Sequence, residues 1–373
     1  MPEIFEFGIV GMGPAGIGMA MSLCRTSINN IKNTICFERG SYPGGKICSA
    51  FLKNECCHSN ICTVISGIGG ASTLSSGKIS NFPAGSGLVE FFDSEQQLKE
   101  LLNEIILFLS NKIALKKVEI DSKIKRDAQE FYEHRHIKYK YYDVYEFDGK
   151  DYRNFIQETI QELKDKGLHI FDNSEVIDVN RDPSDLYFCV KAKTPNGERV
   201  FLIRNLILAT GALDIQDRLI EKIIGSVKNQ YEIGVRIEAP ASAFGNILST
   251  HGDLKLKCGS GRTYCVTANG KIISYQTGGA MFLEGSMESS ETTGYTNLAV
   301  LVKCNDDKEI CHFFKRYYED FRGLPVKQRL VDYINGKISN NTINATLTSA
   351  VYGDINTLFP TSINDMIKEF IYD

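Results

Sequence analysis

Phe5-Glu-Phe-Gly-Ile-Val-Gly-Met-Gly-Pro-Ala-Gly16, followed by Thr34-Ile-Cys-Phe-Glu38-Arg39, is the stretch that decides the fold. An apolar run ends at Gly11, and Gly11, Gly13 and Gly16 fill a G-x-G-x-x-G frame. Small and apolar residues follow from Ile17 to Cys24 at a density that reads as helix. A second apolar run then ends on Glu38, roughly 22 residues past Gly16, where an acid bonds the ribose hydroxyls of a bound dinucleotide. Strand, glycine turn, helix, strand and acid in this order make the first half of a Rossmann βαβ unit. The three glycines serve different ends. Gly11 permits the tight turn, Gly13 the close approach of a pyrophosphate, and Gly16 the packing of helix on strand. The helix N-terminus, with Pro14 and Ala15 in its first turn, offers unpaired N–H groups and a positive dipole end to phosphate. Glu38 also opposes a 2′-phosphate by like charge. On this stretch alone FAD and NAD both fit.

The rest of the composition narrows the class. A chain of 373 residues is long enough for two packed domains. A net charge of −4 gives no general attraction to nucleic acid or to anionic membrane. No apolar run is long enough to span a bilayer. The chain enters a strand at once, so no signal peptide is expected. The eleven cysteines are odd in number and scattered, the pattern of reduced thiols in a cytoplasmic protein.

Further elements follow along the chain. Residues 41–90 are loop-rich. Glu95 to Ile113 carries Leu98, Leu101, Leu102, Ile105, Ile106 and Leu109 at helical spacing. Lys116 to Val144 is charged with interleaved Tyr and His, and its balanced charge reads as a solvated excursion. Tyr152 to Lys166 is a second helical pattern closed by Gly167. Leu168–Phe171 and Asn173–Val179 read as strands, and Pro195-Asn-Gly197 as a hairpin turn between two more. Asn205-Leu-Ile-Leu-Ala-Thr-Gly-Ala212 is an apolar strand ending in Ala-Thr-Gly. Residues 231–302 are mostly strand-like, and 310–373 mainly helical.

Several stretches together resemble an uncharacterised FAD-dependent dehydrogenase family of the two-dinucleotide-binding-domain flavoproteins. Ser66-Gly-Ile-Gly-Gly-Ala-Ser-Thr-Leu-Ser-Ser-Gly-Lys-Ile79 is similar to a G-x-G-G-A-G-x-F-S-D-G-K-L signature. Ile233–Glu238, Thr263–Gly270, Gly285–Met287 with Thr296–Val302, and more faintly Val351–Pro360 follow in the family's order. In two places the chain departs from the pattern. Ser76 stands where the signature has its acid. The family's late Gly-rich turn against the flavin finds no counterpart after Gly353, so the expectation is that a partner chain or a second copy completes the flavin site, that the flavin is held more openly, or that it binds more weakly.

The resemblance implies FAD as cofactor. The residues read as contacting it are Gly11, Gly13, Pro14, Ala15, Gly16, Glu38, Arg39, Gly69, Gly70, Lys78, Val176, Thr210 and Gly211. The glycines of the 67–78 loop turn backbone N–H groups inward, and Lys78 is expected to place its charge near the flavin N1–C2 edge. Lys78 and Arg236 are the candidate catalytic side chains. Arg236 and Glu238 alternate along a strand and share a face, as a site pair or as a structural salt bridge. Cys57 and Cys62 have the spacing of a flavin-linked dithiol, but no second G-x-G-x-x-G accompanies them. The Cys48–Cys62 cluster is therefore read as ordinary thiols. No metal site is expected, since only His58 lies near those cysteines.

The expected architecture is α/β, with a three-layer, discontinuous Rossmann-like FAD-binding domain and a second, mixed-sheet substrate domain. The first takes residues 1–90 and 151–230, and the second 231–345. Residues 91–150 are set apart as a helical, charged excursion and 346–373 as a C-terminal segment. The expected activity is hydride transfer between a small organic substrate and flavin N5. The alternatives are a partner-dependent, catalytically silent flavin subunit and an NAD-binding dehydrogenase. Neither nucleic acid nor membrane is an expected partner.

Overall fold

The structure, a computed structural model, describes residues 2–372 apart from 44–47, 49–55, 57, 58, 60, 75, 76, 185, 212–220, 224, 226–229, 245–252, 287–291, 340 and 341. The chain divides into two compact units. The first is Met1–Leu74, Tyr152–Asn229 and Tyr275–Gly279; the second is Ser75–Asp151, Gln230–Ser274 and Ala280–Asp373. Residues 91–150, whose charge pattern sets them apart in the sequence, group with the second unit, as does 346–373.

The first unit is built on a six-stranded sheet. Its order is His169–Phe171, Thr34–Phe37, Glu3–Val10, Gly197–Leu208, Phe188–Thr194, Glu175–Arg181. The first four strands pair parallel, and Phe188–Thr194 pairs antiparallel with both of its neighbours. The helix Pro14–Thr26 follows the first strand directly. Among the parallel strands, Thr34–Phe37 is buried at all four positions, as a strand covered on both faces requires. Phe5, Ile35, Phe37, Val190, Phe201 and Ile203 form the core of one face. Pro195 and Asn196 make the hairpin turn, and Gly197 sits at φ 103°. The two apolar runs around residues 200 and 206 are one twelve-residue strand, Gly197–Leu208. This is a Rossmann-like sheet with an antiparallel hairpin extension.

The second unit holds a five-stranded antiparallel sheet, ordered Glu232–Pro240, Tyr295–Lys303, Gly261–Thr267, Lys255–Cys258, Lys138–Lys140. One face is covered by Ile363 and Ile367 of the helix Thr361–Tyr372, by Ile310 and Tyr317 of the helix Asp307–Phe321, and by Ala128 and Tyr132 of the helix Ser122–Glu133. A small sheet of Lys78–Ser80, Val144–Glu146 and Lys116–Lys117 completes it. Among the described residues, no helix is long and apolar enough to cross a membrane.

Candidate dinucleotide site and a second polar cluster

The three glycines of the first loop differ in what holds them. Gly11 has φ 98°, and a Cβ there would lie 2.4 Å from the carbonyl oxygen of Ala209. A Cβ on Gly16 would lie 2.0 Å from the Gly11 carbonyl oxygen. Both positions are therefore closed to any larger residue by the protein's own backbone. Gly13 is different: its φ is −72°, and the nearest atom to a Cβ is the Gly70 Cα at 3.9 Å. The fold has room for a Cβ at 13, so a glycine there keeps space open rather than filling a tight packing. Pro14 and Ala15 beside it are exposed. The helix they begin has no side-chain cap and no acid in its first turn, so nothing in its own sequence quenches the positive end.

The second glycine loop packs on the first. Gly69 donates its N–H to the Met12 carbonyl at 2.7 Å, and a Cβ on Gly70 would lie 3.1 Å from the Gly13 Cα. Gly69 and Gly70 have φ 91° and 62°, conformations that favour glycine. The following turn, Ala71–Thr73, is held from the helix Gly149–Asp165: Ser72 Oγ bonds Tyr152 at 3.2 Å and Arg153 donates to the Thr73 carbonyl at 3.1 Å.

Glu38 ends the strand Thr34–Phe37 and is 6% exposed. One carboxylate oxygen accepts the Met12 N–H at 2.9 Å; the other accepts Gly40 at 2.9 Å and Gly67 at 2.8 Å. The acid therefore ties the strand end to both glycine loops. A carboxylate offers about four lone-pair directions, so one remains for a ribose hydroxyl. Arg39 donates from Nε to Ser66 Oγ at 2.8 Å. Val176 is 3% exposed within the core of the sheet, so any contact it makes with a ligand is through its backbone.

The opposite edge of the cradle is the end of the strand Gly197–Leu208. Thr210 Oγ1 is buried with no hydrogen-bond partner among the described residues, and so is Ser41 Oγ, just beyond Glu38. Gly211 is exposed at φ 70°, with nothing within 4 Å of a Cβ. Two unpartnered buried hydroxyls at the carboxyl ends of parallel strands leave hydrogen bonds to be made there. Together with the space at Gly13, they fit a dinucleotide. Ser41 is not legible as a site residue in the sequence, where a serine in a loop carries no signal of its own.

Lys78 and Arg236 both belong to the second unit. Lys78 Nζ lies 3.3 Å from Asp253 Oδ1 and donates to the Val266 carbonyl; both ion-pair side chains are 13% exposed. Arg236 and Glu238 do not pair with each other. Glu238 accepts the Thr346 N–H at 2.8 Å and the Thr346 hydroxyl. Arg236 donates from Nη1 to Asn297 Oδ1 at 2.5 Å and to the Cys265 carbonyl at 3.3 Å, and its Nη2 lies 3.5 Å from Glu284 Oε1. Cys265 stands at φ 46° in a bulge of the strand Gly261–Thr267, and burial pushes its thiol pKa up.

The ten described cysteines are free thiols. Cys57, His58, Ser76, Ala212, His251 and Met287 lie outside the described residues, and the Cys57–Cys62 dithiol spacing with them. Among the described residues, no cluster of His, Cys, Asp and Glu is placed to hold a metal.

No family model and no curated protein matches the chain. Solved structures that align with it include p-nitrophenol 4-monooxygenase from Pseudomonas putida DLL-E4, at 12% identity and TM-score 0.33, covering 86% of this chain and 63% of that one. A flavoprotein/dehydrogenase from Cytophaga hutchinsonii aligns at 11% identity and TM-score 0.35, covering 87% and 59%. Glycine oxidase from Geobacillus kaustophilus aligns at 12% identity and TM-score 0.36, covering 100% and 94%. The chain thus spans about three fifths of the first two, and likeness of this degree does not carry an activity over to it.

Proposed function

We propose that the first unit binds FAD and that the protein is an FAD-dependent oxidoreductase acting on a small organic substrate. The observation that carries this reading is the contrast among the three glycines. Gly11 and Gly16 are required by their own backbone surroundings, whereas Gly13 keeps open a space that none of the described residues of the first unit fills. A pyrophosphate at Gly13 would meet the bare N-terminus of the helix Pro14–Thr26, which favours negative charge. Glu38 would give its remaining lone pair to a ribose hydroxyl while its other bonds hold both loops in place. Thr210 and Ser41 would donate the hydroxyl hydrogens that have no acceptor among the described residues. When bound, the flavin would supply the redox chemistry, a hydride exchanged at N5. The chain's part is to bind, orient and exclude water.

The test is absorbance and size-exclusion of the purified protein incubated with FAD or with NAD. The expected result is a flavin spectrum that co-elutes with the protein. Retention of NAD with no retention of FAD would replace this reading with the nicotinamide one.

A further inference from the structure

The side of the Arg236 guanidinium made by Nε and Nη2 has no hydrogen-bonded acceptor among the described residues. Its other nitrogen, Nη1, is fully used by Asn297 Oδ1 and the Cys265 carbonyl. Nε is buried with no partner. Nη2 faces Glu284 Oε1 only at 3.5 Å, an ion-pair distance beyond an ordinary N–H···O bond. Glu284 does not come closer because that oxygen is held elsewhere: it accepts the Gly285 N–H at 3.1 Å and the Cys265 thiol at 3.2 Å. A buried guanidinium thus leaves without a hydrogen-bonded acceptor, among the described residues, the two-donor edge that matches a carboxylate in planar, bidentate fashion.

The surroundings are arranged to keep that edge in place. The Arg236 side chain is 4% exposed, so its orientation is set by packing. A Cβ on Gly285 would lie 2.8 Å from Arg236 Nη1 and 2.2 Å from Thr267 Oγ1, so glycine at 285 makes the room the guanidinium occupies. Asn297, fully buried, carries in its Nδ2 a second donor with no partner among the described residues. Glu284 is 30% exposed, so the anion that faces Nη2 is itself within reach of solvent.

We propose that the Nε–Nη2 edge of Arg236 is a binding subsite for the carboxylate of a small organic acid, with Glu284 as the anion it displaces. This deepens the oxidoreductase reading by naming the substrate class, and rests on it only in calling the ligand a substrate. Arg236 fixes the acid by two parallel N–H···O bonds. Glu284, once displaced, gives up the Gly285 and Cys265 bonds that its Oε1 makes and turns to water.

The experiment is calorimetric titration of the full chain with acetate, propionate and benzoate, each against its amide and against sodium chloride at equal ionic strength. The acids are expected to bind and the amides not. Arg236→Lys, which keeps the charge and loses the fork, is expected to weaken acid binding about tenfold or more. Glu284→Gln, which removes the competing anion, is expected to strengthen it several-fold. Acids and amides behaving alike, or Glu284→Gln leaving acid affinity unchanged or lower, overturns the proposal. Circular dichroism checks that Arg236→Lys folds; if it does not, the Glu284→Gln comparison decides. Flavin loading is read separately from its absorbance. Acid binding without flavin binding sinks the FAD reading alone, and flavin binding without acid binding sinks this subsite alone.

Discussion

Glu38 accepts the backbone N–H of Met12, 26 positions away in the chain, at 2.9 Å from a carboxylate that is 6% exposed. Its other oxygen serves Gly40 and Gly67, so a single side chain satisfies three amides from three segments. Glu38→Ala leaves those N–H groups without their acceptor, each costing about 1–3 kcal/mol when buried. The expected loss is at least ~3 kcal/mol of folding stability, read in urea melts. Glu38→Gln keeps the shape but turns one acceptor into a donor facing an amide, and is expected to fall between. A melt of Glu38→Ala within error of the parent would show that the tie contributes nothing.

Gly13 and Gly16 are expected to separate binding from folding. Gly16→Ala places a Cβ 2.0 Å from a backbone oxygen, and is expected to lower stability by a few kcal/mol, the scale of an overpacked core. At Gly13 a Cβ meets nothing nearer than the Gly70 Cα at 3.9 Å, so Gly13→Val is expected to lower stability far less than Gly16→Ala while abolishing FAD retention. Equal loss of stability in both variants would mean that Gly13 is also a packing glycine.

Lys78 and Asp253 form an ion pair with both side chains 13% exposed, and Asp253 also accepts the Val266 N–H at 3.1 Å. Removing the lysine takes the countercharge from a carboxylate that is largely out of water but keeps the Val266 N–H. Lys78→Met is expected to cost about 1–3 kcal/mol, somewhat less than the ~3–5 kcal/mol of a fully buried pair. Lys78→Met with Asp253→Asn is expected to recover part of that loss. A double variant no better than the single one would assign the cost to lost alkyl packing of Lys78.

Glu232 and Arg262 give a pH-dependent test in the second unit. Arg262 Nε lies 3.0 and 3.1 Å from the two Glu232 oxygens, and Nη2 donates as well. The hydrogen bonds and charge of Arg262 hold the Glu232 carboxyl below its ordinary value of 4.5. A depressed folded-state pKa stabilises above the ordinary value, and that stability is lost as pH falls through the lowered one. Glu232→Gln is therefore expected to cost about 1 kcal/mol at neutral pH and progressively less below the ordinary glutamate range. A difference from the parent that stays the same at pH 7 and in strong acid would deny the ion pair its role.

Much of the first unit is legible in the sequence because its signals are local. Gly11 is dictated by its own positive φ and Gly16 by the Gly11 carbonyl of the same strand–turn–helix, and the hairpin at Pro195-Asn-Gly197 by a single positive φ. The helix Ser122–Glu133 is hidden within a charged segment that reads as an excursion. Its buried positions, Ala128 and Tyr132, are two weakly apolar residues among many charges. The readable signal is its start: Asp121 caps the Lys123 and Ile124 amides.

The sequence by itself determined the strand–glycine turn–helix opening and the apolar strands of the parallel sheet. Those depend on steric limits and periodicity that act over a few residues. Only the tertiary structure decided how the site groups are used. It set Glu38 to bind three amides, Lys78 to face Asp253, and Arg236 to face Asn297 and Glu284 rather than Glu238. It also left Thr210 and Ser41 without partners among the described residues. The reason is physical: a charged or hydroxyl group takes whichever partner the packed backbone brings within hydrogen-bonding distance, and that partner comes from a remote segment whose position no local pattern encodes.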